Sequence, residues 1–319
     1  MAPANLARVV RGGFVESVHQ GHLVALSADG TVLLSAGEPS DTVLARSSLK
    51  PLQAVAMLRS GLDLDGPLLA LACASHNGES HHLEGARGIL AAAGLTEDDL
   101  QNTPDYPIGE AASLDWRAAG HGKTSLAQNC SGKHAAMLAT CVAAGWDTGT
   151  YLSAQHALQQ AVRVTIEELT GDEAQHTTVD GCGAPLFSCS LTGLARAFGS
   201  IARAAAEGTP EDQAKVGLAM NAHPHMVGGA GRDVTALMGG VAGLVAKDGA
   251  EGVYAVGLAD GRGLALKILD GSQRARPVVM AAALKALGLS DAVLDELGTE
   301  PVLGHGKPVG AIEAVLPVS

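Results

Sequence analysis

Aromatic side chains are scarce: three Phe, three Tyr and two Trp make up 3% of 319 residues. A core for a chain of this length must come from Ala, Val and Leu in close backbone contact, and the 41 glycines leave room for that. Positive charge is also short. Lys and Arg number 21 against 33 Asp and Glu, a net charge of −12. That balance argues against nucleic acid or an anionic membrane surface as partner. No apolar run approaches a bilayer span, and stretches such as Leu68–Ala74 are far too short. The start, Met-Ala-Pro-Ala-Asn-Leu-Ala-Arg, has no apolar segment of the secretory kind, so a cytoplasmic location is expected. Five cysteines, an odd number, point to free thiols, metal ligands or small buried hydrophobes rather than disulfides. There is no Gly-x-Ser-x-Gly elbow, which argues against an α/β-hydrolase, and no His-Glu-x-x-His zinc helix. Gly122-Lys123-Thr124 ends like a phosphate loop, but Arg117 stands where its first glycine is needed. No internal repeat or linker is visible.

What is present is 47% hydrophobic residues in a globular pattern. Alternation over 14–27 and 31–36 around Ala28-Asp29-Gly30 predicts two antiparallel strands. A helix is expected over 48–60, and 66–74 is a buried strand or helix piece. Further helices are expected near 80–93, 133–144, 154–169, 190–206, 210–221 and 232–238, with an irregular stretch over 101–129. Val253–Leu258 and Leu264–Leu269 flank Asp260-Gly261 as a hairpin. Helices near 277–287 and 290–297 follow, and 308–316 reads as an edge strand. Strands at both ends and helices between them predict an α/β (α+β) fold: a largely antiparallel sheet from both termini, flanked by helices, with a helical lobe. The chain is read as one catalytic unit, with a sheet lobe over about 1–46 and 225–319 and a helical lobe over about 47–224.

Three constellations carry possible chemistry. Ser47 and Lys50 are three residues apart at a strand-to-helix turn, so hydroxyl and amine share a face. A serine needs such a base to become a nucleophile. Downstream, Lys247-Asp248-Gly249 precedes the hairpin, and a second cation near Lys50 would help to keep an amine deprotonated. Ser-x-x-Lys followed by Lys-x-Gly is the order found in serine β-lactamases and penicillin-binding proteins. The second constellation is Cys130-x-x-Lys133-His134 with Asp180-Gly181-Cys182. Two thiolates brought together by Gly-rich loops suit zinc, with Lys133 or His134 as a further ligand. Cys73, Cys141 and Cys189 lie in apolar surroundings and are assigned to the core. The third is Ser75-His76-Asn77, whose adjacent serine and histidine point to opposite faces if the chain is extended there. His81, His82, His223 and His225 are weaker candidates.

Taken together, Ala45-Arg46-Ser47-Ser48-Leu49-Lys50-Pro51, Cys73-x-Ser75-His76, Asn129-Cys130-Ser131-Gly132-Lys133-His134, Asp180-Gly181-Cys182, His223-Pro224 and Lys247-Asp248-Gly249-Ala250-Glu251-Gly252 resemble the L-asparaginase II family, the rhizobial-type thermolabile asparaginases. The resemblance runs in order through nearly the whole chain. It implies a fold similar to serine β-lactamases and glutaminases, and hydrolysis of L-asparagine to L-aspartate and ammonia by a homodimer. It further implies that Ser47 is the nucleophile and Lys50 its base, with Ser75 close by. Lys247 would support one of the serines, with Lys267 as the fallback. Cys130, Lys133 and Cys182 match a trio that holds Zn2+ in the family, where the metal assists substrate placement more than attack. Arg46, His134 and Asp180 would grip the charged ends of the substrate. The residues themselves leave two rivals open: a β-lactamase or D,D-peptidase relative, and a non-catalytic zinc- or amino-acid-binding protein on the same scaffold. They do not separate Asn from Gln as substrate.

Overall fold

The computed structural model describes residues 2–316. Twelve strands occur among these residues. They are β1 (Ala4–Arg11), β2 (Phe14–Leu26), β3 (Val32–Ala36), β4 (Thr42–Val43), β5 (Thr177–Val179), β6 (Pro185–Phe187), β7 (Cys189–Ser190), β8 (Val245–Asp248), β9 (Val253–Gly257), β10 (Gly263–Ile268), β11 (Glu300–Gly304) and β12 (Lys307–Ala314). Eight of them form one antiparallel sheet in the order β11-β12-β1-β2-β10-β9-β8, with β3 continuing the edge of β2 beyond β1. The N- and C-terminal parts of the chain thus share one sheet, and helices lie against it, which is the α/β architecture expected. Among the described residues, no helix is long and apolar enough to cross a membrane.

Helix Leu191–Glu207 lies close on the sheet because glycines remove side chains where backbones meet. A Cβ at Gly257 would fall 1.9 Å from the Phe198 carbonyl oxygen, and one at Gly263 would fall 1.9 Å from that of Ala195. With few aromatics to fill gaps, close approach of this kind supplies packing density. A single apolar cluster runs from the sheet strands through helices Lys50–Arg59, Gly66–Ala72 and Ser131–Ala144. Burying that many Ala, Val and Leu side chains supplies the main favourable term of folding. Cys73, Cys141 and Cys189 are buried in it, as expected.

Three expectations about elements change, and one open choice between strand and helix is decided. The segment 66–74 is a helix, Gly66–Ala72, which a short apolar run alone does not reveal. Strand β1 was not anticipated. A register irregularity between Asn5 and Ala7 puts Leu6 and Ala7 both inside and breaks the two-residue alternation. The C-terminal strand is interior to the sheet, between β11 and β1, so the edge belongs to β11. Within the irregular stretch 101–129 there is a helix, Glu110–Ala118, with no fully buried residue and therefore only a faint apolar face.

Candidate active site

The turn before helix Lys50–Arg59 places the first group of side chains. Arg46–Leu49 forms a short 3-10 turn, and Pro51 occupies an early helical position where its missing N–H is harmless. Arg46 has φ 54°, a left-handed conformation that costs energy in a non-glycine residue. Its guanidinium Nε donates to Asp180 Oδ1 at 2.7 Å, tying the turn to the loop after β5. Ser48 is buried, and its hydroxyl donates to the Lys247 carbonyl at 3.2 Å, tying the turn to β8. Gly249 makes this approach possible, since a Cβ there would lie 2.7 Å from the Ala45 carbonyl oxygen and 2.9 Å from Ser48 Oγ.

Lys50 is 1% exposed. Its Nζ donates to the Ala74 carbonyl, to Ser75 Oγ at 2.9 Å and to Cys130 Sγ at 3.0 Å. The amine that sequence spacing assigns to Ser47 therefore makes its serine contact with Ser75, and Ser47 is not among its hydrogen-bond partners. Both serines nevertheless line one cavity of about 860 Å³, together with Asn77, Glu79, Asn129, Arg232, Asp248 and Ala250 among others. Ser75 follows helix Gly66–Ala72, and its N–H is fixed by the Val227 carbonyl at 3.1 Å. His76 turns away from it, with Nε2 2.9 Å from Ser131 Oγ, so the two adjacent residues form no dyad. The backbone N–H groups of Ser47 and Ala250 have no protein acceptor among the described residues.

Behind Lys50 lies the sulfur cluster. Cys130, at the start of helix Ser131–Ala144, and Cys182, in the Gly181-Cys182-Gly183 loop, pack together in an isolated apolar pocket with Ala184 and Leu152. Lys133 Nζ donates to Cys182 Sγ at 3.1 Å. The Cys130 thiol donates to Asn129 Oδ1 at 3.0 Å. The packing of the two sulfurs and the Lys133 charge outweigh burial and hold the Cys182 thiol far below its usual range. Cys130 is pushed up by the same packing and by burial. Burial alone would lower the Lys133 pKa, but the two sulfurs outweigh it and raise it. Two sulfurs and an amine with one coordination position left over form a donor set that fits zinc. Zinc binding would displace the Cys130 thiol proton and one from Lys133.

His134 is fully buried and held neutral, first by burial and then by the Lys133 charge. Tyr151 OH accepts from the Gln101 N–H at 3.2 Å and lies 2.9 Å from His134 Nδ1. The His134 Nε2 has no partner among the described residues. Burial alone would raise the Asp180 pKa, but the Arg46 hydrogen bond and the Lys133 charge outweigh it and lower it. Arg46, His134 and Asp180 flank the sulfur cluster and are not part of the cavity wall.

Lys247, on β8, is completely buried. Its Nζ donates to the Asp248 carbonyl at 2.7 Å and to the Asp248 carboxylate, and it bonds to no serine hydroxyl. Burial lowers its pKa to about 8. Asp248 opposes that shift and Lys50 adds to it. Asp248 also takes Arg232 Nη2 at 2.6 Å and has Arg276 at 3.7 Å. These two arginines had no sequence signal, because they lie in separate elements far from Lys247 along the chain. Lys267 lies apart on β10, its Nζ on the Glu251 carbonyl at 2.8 Å. Among the described residues, one trio of His, Cys, Asp or Glu converges as a possible metal cluster: Glu79, His81 and His82. Both nitrogens of His82 are already used, one by the Glu79 N–H and the other by the His225 carbonyl.

The family model for L-asparaginase II matches residues 7–314. No curated protein sequence matches the chain. Solved structures with related chain traces include a putative beta-lactamase from Bacteroides dorei, 14% identical, with a TM-score of 0.47, covering 84% of this chain and 93% of that one. Another is a beta-lactamase from Mycobacterium bovis, 14% identical, with a TM-score of 0.41, covering 84% of this chain and 95% of that one.

Proposed function

The chain belongs to the L-asparaginase II family, and from that membership and the cavity's geometry we propose that it hydrolyses L-asparagine to L-aspartate and ammonia by Ser-Lys acyl transfer. The observation that carries the reading is Lys50 Nζ, buried and 2.9 Å from Ser75 Oγ, where Ser75 and Ser47 both line the same cavity. As an ammonium, Lys50 fills all three donor positions. As an amine it keeps two donors and turns a lone pair toward the hydroxyl, the arrangement a general base requires.

In this reading Ser47 Oγ attacks the side-chain amide carbon. Its proton moves to Ser75, and the Ser75 proton moves to Lys50. The Ser47 and Ala250 N–H groups, free of protein acceptors, stabilise the oxyanion. Lys50 returns the proton to the leaving nitrogen, ammonia departs, and water resolves the acyl-enzyme through the same base. The 2.9 Å contact favours one second reading, in which Ser75 attacks directly. Arg46 and Asp180 are bonded to each other and hold the Ser47 turn in place. His134, fully buried and off the cavity wall, takes no part in this reading. Cys130, Lys133 and Cys182 would hold Zn2+, which would supply positive charge for placing the substrate, and metal analysis of the purified protein tests this. A homodimer belongs to the same proposal and is read by light scattering.

Ammonia release from L-asparagine, with L-glutamine and a β-lactam as parallel substrates, tests the activity. Turnover of the β-lactam alone would overturn it. Ser47→Ala and Ser75→Ala separate the two routes. Replacing the attacking serine abolishes acyl-enzyme trapping and costs about 10³-fold or more in kcat/KM, whereas replacing the relay serine costs about 10–100-fold. Full activity in both variants removes the mechanism.

A further inference from the structure

The charged groups on the cavity wall are not equivalent. Asp248 is saturated by cations, and Arg232 is engaged with it. Asp180 is engaged with Arg46 and lies off the wall. Glu79 differs. It lines the cavity with Ser47 and Ser75, and it ends the same polar loop that begins at Ser75. Its Oε1 accepts from Asn77 Nδ2 and from the Ala230 N–H, both at 2.8 Å. Asn77 in turn donates to the Ala230 carbonyl at 2.9 Å. These bonds fix the plane of the carboxylate from two loops. Gly229 is required for that packing, since a Cβ there would lie 2.6 Å from both Asn77 Nδ2 and Glu79 Oε1, and its φ is +112°. The other oxygen, Oε2, has only His81 Nε2 nearby as a cation partner, at 3.8 Å. The side chain also caps helix Ser80–Ala92, in a capping box with His82. A carboxylate fixed by neutral N–H donors, with no cationic side chain closer than 3.8 Å among the described residues, is the arrangement that receives an ammonium group.

We propose that Glu79 receives the α-ammonium group of the amino-acid substrate and so sets the preference for α-amino amides over amides that lack that group. This rests on the asparagine reading above. Nothing in it requires Glu79 to take part in the bond-breaking step, so it is a specificity residue.

Succinamate, which is asparagine without its α-ammonium group, is the discriminating substrate. Glu79→Gln keeps an Oε1 acceptor for Asn77 and Ala230 while removing the charge, and its melting temperature serves as the folding control. The variant is expected to lower the ratio of kcat/KM for L-asparagine over succinamate by about 10–100-fold. The loss should fall on KM for asparagine, with kcat and the succinamate values little changed. A ratio within about threefold of wild type overturns the inference. A second arm does not depend on turnover: calorimetric binding of L-aspartate and of succinate. The wild type should prefer L-aspartate and Glu79→Gln should lose that preference. Wild-type protein that binds succinate as tightly as L-aspartate overturns the inference, whereas wild-type protein that releases no ammonia from asparagine overturns the asparagine reading instead.

Discussion

Lys50 and Lys247 are both sealed from water, and each lies within electrostatic reach of the other, but their surroundings differ. Lys247 is bonded to a carboxylate that two arginines share, so its charge is balanced within a network. Lys50 meets a carbonyl, a hydroxyl and a thiol, and no carboxylate. A buried cation matched to an anion holds structure together. A buried amine facing a hydroxyl at a cavity wall is placed to exchange a proton. In the proposed mechanism this difference favours Lys50 for proton transfer and Lys247 for a supporting role, and it can be broken by substitution.

The largest effect is expected from Lys50→Met, which keeps much of the side-chain volume and removes the base. We expect kcat/KM for L-asparagine to fall about 10³–10⁴-fold, the upper range for a general base. The melting temperature should fall modestly, because the Ala74 carbonyl loses a buried donor at a cost of about 1–3 kcal/mol. A fall in activity of less than tenfold would erase the contrast between the two lysines.

This contrast was only partly legible in the sequence. The Ser-x-x-Lys spacing located a turn whose Ser47 lines the cavity, and the Gly-loop cysteines with Lys133 located a cluster that does form. Spacing could not say where a long flexible side chain ends. Lys50 Nζ goes where three buried acceptors wait, and two of them, Ala74 O and Ser75 Oγ, belong to a helix end brought in by tertiary packing. Lys247-Asp248 could be read as an exposed turn because charged residues mask a strand pattern. Its burial depends on Arg232 and Arg276, which no local rule connects to it. Helix Glu110–Ala118 escaped for the opposite reason: none of its residues is fully buried and Trp116 alone packs partly against the core, so its apolar stripe is faint. The Asp260-Gly261 hairpin, by contrast, combined local turn chemistry with cross-strand packing and was plain from the start.

Lys247→Met should have an intermediate effect with a distinct pH signature. The folded-state pKa of about 8 lies below the ordinary value of 10.5. Below pH 8 the lysine carries its proton in both states, and the folded protein bears the cost of burying it. Between about 8 and 10.5 the unfolded chain binds more protons than the folded one, so this group makes stability rise with pH across that window. The gain is on the order of 2–3 kcal/mol, and Lys247→Met should abolish it. Urea unfolding of both proteins at pH 7.5 and 10 measures the difference, and parallel slopes would show that Lys247 does not bear this burial cost. Activity should fall about 10–100-fold, through displacement of the Ser48 and Gly249 contacts that position the Ser47 turn.

Lys267→Met should have the smallest effect and sharpens the comparison by supplying a third lysine. Its side chain is partly exposed, and its Nζ is bonded to the Glu251 carbonyl rather than to any group of the cavity wall. Water replaces that donor readily, so stability should change by about 0.5 kcal/mol or less and kcat/KM by no more than about twofold. Lys267 does lie near enough to Arg46 to feel its charge, which is the one route by which it could reach the Ser47 turn. A loss of activity as large as that of Lys247→Met, shrinking at high salt where charges exposed to solvent are screened, would show that this route is in use and that the supporting role belongs to β10 rather than β8.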